Sequence, residues 1–159
     1  MNLNLPEKFK LVDATAGPVT TNGGVTLDYV SLKNAVKAWI VLQFTQAVGH
    51  ATVIQPQMAT DVTPTGATSI TSAVEIWQNA DTAASDTLVK ATSATSLTLA
   101  NNIKKKMVVI EIDPAEFGGS YDVLGCTISD SSQATNFVSG MYILQMRYGQ
   151  ATPPAAITD

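Results

Sequence analysis

The sequence predicts an all-β fold, an antiparallel β-sandwich or barrel with extended terminal arms. Three observations predict it. Apolar residues alternate with period two in one segment after another. β-Branched and aromatic residues fill those segments. Turn residues interrupt them roughly every ten positions, the spacing of sandwiches, jelly rolls and barrels.

Residues 18–20 and 25–30 flank Thr21-Asn22-Gly23-Gly24, and Asn-Gly there predicts a hairpin. Residues 39–45 put Ile40, Leu42 and Phe44 on one face and Trp39, Val41, Gln43 and Thr45 on the other. Both faces begin apolar, which predicts a central strand buried on two sides. Val48-Gly49-His50 separates this strand from the next. Residues 73–77 place Val74 and Ile76 together, and residues 95–99 pair Leu97 with Leu99. Residues 107–112 form a strand with Val108, Ile110 and Ile112 on one face. Asp113 then caps a single helical turn that Pro114 begins and Gly118-Gly119 ends. Residues 121–128 form a strand bent near Gly125. Residues 137–148 form the longest, with Met141, Ile143, Gln145 and Arg147 opposite Tyr142, Leu144, Met146 and Tyr148. Segments 61–68, 79–86 and 129–136 are loops. The expected organisation is an N-terminal arm over residues 1–12, a β domain over 13–148 and a C-terminal arm over 149–159, where Pro153-Pro154 cannot extend a sheet.

Composition narrows the function classes. The chain has 159 residues, enough for one domain with its own core. Only 14% are charged, against roughly 25% in ordinary domains. Thr, Ala and Ser number 20, 20 and 11, so small neutral side chains must build the surface. A net charge of −4 with nine basic residues argues against nucleic acid and against a polybasic membrane footing. The apolar runs are far shorter than the roughly 20 residues a bilayer requires. Residues 1–10 lack the basic-then-apolar order of a signal peptide, and one cysteine makes no intrachain disulfide. Synthesis in a reducing cytoplasm is the expectation.

The residues that carry chemistry are sparse. His50 is the single histidine and falls in a turn, with no nucleophile beside it. Cys126 lies mid-strand and reads as a buried small hydrophobe. Asn79, Asp81 and Asp86 share a loop but follow no calcium-loop spacing. Gly23-Gly24 lacks the spacing of a phosphate loop. Glu75, Glu111 and Glu116 could serve glycoside hydrolysis only at suitable separations, which spacing alone leaves open. Lys104-Lys105-Lys106 reads as a solvated turn that discourages edge pairing. No catalytic, cofactor or metal residue is therefore assigned, and no enzyme is expected. Trp39, Trp77 and Tyr148 are the large anchors expected to mediate self-association.

Several stretches resemble one group of proteins. They are Tyr29-Val30-Ser31-Leu32-Lys33-Asn34 leading into residues 39–44, and Met58-Ala59-Thr60-Asp61-Val62 with Thr65-Gly66-Ala67. Ile76-Trp77-Gln78-Asn79 with Asp86-Thr87-Leu88, Val109-Ile110-Glu111-Ile112-Asp113 and residues 146–154 complete the set. From about residue 28 onward the chain is similar to virion structural proteins of tailed bacteriophages and prophages. It resembles their small head decoration, or cement, proteins. That resemblance implies a homotrimer on the capsid exterior, made in the host cytoplasm, with the major capsid protein and itself as partners. The rival expectations are a head–tail connector or tail-tube subunit and, from another class, a carbohydrate-binding β-sandwich.

Overall fold

The structure is a computed structural model that describes residues 4–149 and 155–157. Among these, a helical turn (Leu5–Lys8) precedes thirteen strands. The strands are β1 (Phe9–Asp13), β2 (Val19–Thr20), β3 (Val25–Thr26), β4 (Val30–Ser31), β5 (Ala35–Thr45), β6 (Thr52–Ala59) and β7 (Thr68–Ser69). They continue with β8 (Glu75–Asn79), β9 (Val89–Lys90), β10 (Leu97–Leu99), β11 (Lys105–Ile112), β12 (Val123–Ile128) and β13 (Phe137–Met146). Two antiparallel sheets result, packed as a sandwich. Sheet A runs β1-β13-β5-β11-β8-β9, with β2 also on β13. Sheet B runs β10-β6-β12-β3, with β4 on β12 and β7 on β6.

The period-two pattern decides which side chains face inward. Ile40 and Leu42 of β5, Val108 and Ile110 of β11, and Tyr142 and Leu144 of β13 are buried on the inner face of sheet A. They share one core with Ile54 of β6 and Leu124, Cys126 and Ile128 of β12. Tyr142 satisfies its buried hydroxyl by donating to the Asp28 carbonyl at 2.8 Å, which ties sheet A to the strand edge of sheet B. Burial pushes the Cys126 thiol up to about 12, as a structural thiol in apolar surroundings requires. Asp113 caps its 3-10 turn (Pro114–Glu116) as expected, accepting from the Ala115 amide at 2.9 Å.

Several expectations change. The Asn22-Gly23 turn closes no hairpin: β2 pairs with β13 in sheet A, whereas β3 pairs with β12 in sheet B. The turn carries the chain between layers, with Gly23 and Gly24 at φ +86° and +79° and the Gly23 amide donating to Asp130. Of the residues expected in an N-terminal arm, 9–12 lie in β1, paired with β13 from Phe9↔Gln145 onward. Of the expected C-terminal arm, Ala156 is buried and its carbonyl accepts from the Ser31 amide at 2.6 Å; residues 150–154 and 158–159 lie outside the described residues. In β13 a register irregularity between Gln145 and Met146 ends the alternation before Arg147 and Tyr148.

Lys106 departs furthest from expectation. It continues the inner row of Val108 and Ile110, and it is 2% exposed. Its ammonium reaches the end of the core, donating to the Gln46 side-chain oxygen and to the Ala100 carbonyl. Gln46 in turn donates to the His50 carbonyl at 2.6 Å. Desolvation lowers the Lys106 pKa from the ordinary lysine value. The lysine triplet is thus one exposed residue, one partner of Asp81 and one internal cross-brace.

β12 carries no bulge at Gly125; its register with β6 runs unbroken through Gly125↔Gln57. The glycine serves another purpose. An added Cβ would stand 2.3 Å from Cε1 of Tyr29, whose ring lies against the bare backbone. The Tyr29 hydroxyl donates to Gln57 at 2.8 Å and locks the ring there. Gly125→Ala is expected to cost roughly 1–3 kcal/mol through overpacking. Urea unfolding of the variant checks this, and an unchanged midpoint would remove the steric account.

Candidate functional site

The outer face of sheet A is built by the residues that alternate with its core. The ladders align them in rows across the sheet. One row reads Asp13–Met141–Val41–Val109–Trp77–Lys90, and the next reads Leu11–Ile143–Trp39–Glu111–Glu75. The middle of both rows is apolar. Leu11, Met141 and Trp77 are 50%, 43% and 36% exposed, while Val41, Val109, Ile143 and Trp39 are half-buried by their neighbours. β5 was expected to be buried on both sides. Only its inner side is covered, because sheet B spans one face of sheet A, and Trp39 and Val41 belong to the open one.

Trp39 and Trp77 therefore share a face, two strands and two residues apart. Phe9 tilts against Trp39, with ring centroids 6.1 Å apart. Lys90 stands 5.8 Å over the Trp77 ring. Tyr148, the third expected anchor, does not join them. It lies beyond the end of β13, 69% exposed. The missed members of the face are Leu11, Val41, Val109, Met141 and Ile143. The signal for all but Leu11 was present: β5, β11 and β13 carry apolar residues at both phases of the alternation.

Charge on this face is confined and paired. Glu111 accepts from Lys37 through one oxygen and from the Trp39 indole N–H at 3.1 Å through the other. Glu75 accepts from Lys90 and from Ser93 at 3.0 Å. The hydrogen bond from Lys37 holds the Glu111 carboxyl below the ordinary carboxylate range, and Lys90 does the same for Glu75. Glu75 and Glu111 are direct cross-strand partners. Each carboxylate is engaged by a lysine of the same face.

Beside the apolar rows, the end of β1 and the turn after it rise above β13 and β5. They enclose a shallow groove of about 380 Å³ lined by Leu11, Asp13, Val41, Gln43, Ser139 and Met141. The outer face of sheet B is different in kind. Thr26, Gln55, Gln57, Ser69, Thr98 and Thr127 make most of it neutral and polar, with Val53 among them and Tyr29 packed with Ala59 and Val123 at one end, and Gln57 and Thr127 are hydrogen-bonded to each other at 3.4 Å.

The remaining candidates hold structure. Asn79 is buried and pins its loop, donating to the Ser85 carbonyl at 2.6 Å and accepting from the Asp81 amide. Asp81 pairs with Lys104. Among the described residues no group of three or more His, Cys, Asp or Glu is placed to hold a metal ion.

No protein-family model and no curated protein matches the chain. Among solved structures it is similar to the C-terminal CBM6 of LamC, a marine laminarinase from Zobellia galactanivorans, at TM-score 0.39 and 7% identity, covering 86% of this chain and 98% of that one. It is similar to the enzymatically active domain of bacteriophage CBA120 tailspike protein 4 at TM-score 0.35 and 9% identity, over 92% of this chain but 20% of that one. It is also similar to desmodium yellow mottle tymovirus at TM-score 0.33 and 11% identity, covering 91% and 90%.

The Glu111 bonds set a pH dependence. Its folded pKa lies below the unfolded value near 4.5, so its contribution is present above that value and is lost as pH falls through the folded pKa. Glu111→Gln is expected to cost about 1 kcal/mol or less at neutral pH, since the pair is partly exposed. The difference from the native chain should close on acidification well below 4.5. Urea unfolding across pH measures it, and a pH-independent difference would exclude the ion pair as its source.

Proposed function

We propose that the chain is a structural subunit of a repeating assembly, and that it decorates the outer surface of a tailed-bacteriophage head. The observation that carries this reading is the open apolar face of sheet A. Contiguous exposed apolar surface on a soluble domain marks an interaction site, and its paired carboxylates leave that face neutral. The role on a phage head comes from the sequence resemblance over residues 28–159. Small neutral side chains support the same reading, because they lose little conformational entropy when packed against a neighbour. On a symmetric shell, many modest contacts of this kind sum to large stabilisation.

A second reading has one observation in its favour. Trp39 and Trp77 on one open face could stack on sugar rings, making the chain a carbohydrate-binding β-sandwich. Against it, both oxygens of Glu111 and the Glu75 carboxylate already hold partners within the chain, so the hydrogen bonding that would orient a sugar is spent.

Undecorated heads, assembled from the major capsid protein of the encoding genome, provide the test. The purified chain should sediment with them and saturate at hundreds of copies per particle. A handful of copies at one vertex would indicate a connector. Failure to bind heads, with micromolar binding on a glycan array, would replace the decoration reading with the carbohydrate one.

A further inference from the structure

We propose that the partner on the outer face of sheet A is a second copy of this chain, stacked face to face about a two-fold axis parallel to the strands between β5 and β11. The inference rests on the reading of that face as an interaction surface and adds its occupant. It follows from the order of residues along one row.

That row carries an acid at one edge and a base at the other, with four apolar residues between: Asp13–Met141–Val41–Val109–Trp77–Lys90. A two-fold axis along the strands reverses the row in the second copy. Asp13 then faces Lys90 of the second copy, which also holds Glu75 of its own chain, while Met141 faces Trp77 and Val41 faces Val109. In the next row the same operation sets Trp39 against Glu111 and Ile143 against Glu75, both carboxylates already neutralised by lysines of their own copy. A two-fold axis running along the row instead would stack Asp13 on Asp13 and Lys90 on Lys90, which like-charge repulsion disfavours. The charges thus favour an axis along the strands over one along this row.

Shape agrees with charge. Trp77 projects from the β8 side of the face, 36% exposed. The groove of about 380 Å³ lies on the β13 and β1 side, lined by Leu11, Val41 and Met141. Reversal of the row brings the Trp77 ring of each copy over the groove of the other. The ring meets the Met141 thioether there, a favourable sulfur–aromatic contact. Lys90 accompanies the ring and reaches Asp13 at the groove's edge. Each copy thereby contributes one knob and one hole, and both are satisfied at once.

The extent is adequate. Six strands at about 4.8 Å spacing and rows over some 20 Å of strand make a face of roughly 500 Å². Two such faces bury about 1,000 Å² in total, the lower bound for a specific interface. Aligned sheets also pack face to face about 10 Å apart in ordinary sandwiches.

Sedimentation equilibrium tests the proposal. The native chain should run at twice its own mass. Trp77→Ala should weaken association about 30-fold or more, as the loss of a central aromatic anchor does. Asp13→Lys and Lys90→Asp should each weaken it about fivefold, and the two together should restore it. Circular dichroism confirms folding of each variant, and Met141→Glu, at an exposed position, repeats the test should Trp77→Ala unfold. A native monomer or trimer overturns the proposal, as does a double charge variant no better than the singles. The two readings fail separately: a monomer that still saturates heads removes the two-fold contact alone, whereas a dimer indifferent to heads removes only the decoration role.

Discussion

The structure depends on one constraint: long strands with two apolar faces, only one of which a sandwich can cover. β5, β11 and β13 pair side by side over most of their length. Their inner residues meet sheet B and form the core. Among the described residues, no layer lies above their outer residues. Burial of the inner face drives folding, and the apolar outer face is left exposed by the same geometry. The core and the candidate site are therefore two sides of the same three strands.

The polar interior shows how a chain so poor in charge uses what it has. Lys106 braces two loops at one end of the core through neutral acceptors. Nearby, Asn136 takes the part of a strand for Val48, accepting from its amide and donating to its carbonyl. Thr21 and Ser131 are joined hydroxyl to hydroxyl at 2.7 Å. These bonds satisfy backbone groups where the chain passes between layers, as buried polar groups demand. On the outer face of sheet A, Lys37 and Lys90 each hold a glutamate. Charge serves to fix side chains there.

The two outer faces divide the surface by chemistry. Sheet B presents amides and hydroxyls, partly bonded among themselves. Sheet A presents aliphatic and aromatic groups with an acid and a base at opposite edges of one row. A face of the second kind loses less on desolvation than the first, since its polar groups already have partners. For a subunit in an assembly, this contrast separates a surface suited to a protein neighbour from one suited to solvent.

The sequence by itself determined the class of fold, because alternation with period two, β-branched content and turn spacing are local properties that survive without tertiary information. It determined which residues of β5, β11 and β13 share a face, the capped turn at Asp113 and the burial of Cys126 for the same reason. It also singled out Trp39 and Trp77. Only the tertiary structure decided that these two share a face, since their adjacency comes from the pairing of β11 with both β5 and β8, contacts far apart in the chain. Only the tertiary structure decided that the second apolar side of β5 stays open, because periodicity reports that a face is apolar and not what covers it. The placement of Asn22-Gly23 between layers and the inward course of Lys106 were likewise invisible locally: a turn residue sets the local bend, and the sheet that each flanking strand joins depends on long-range packing.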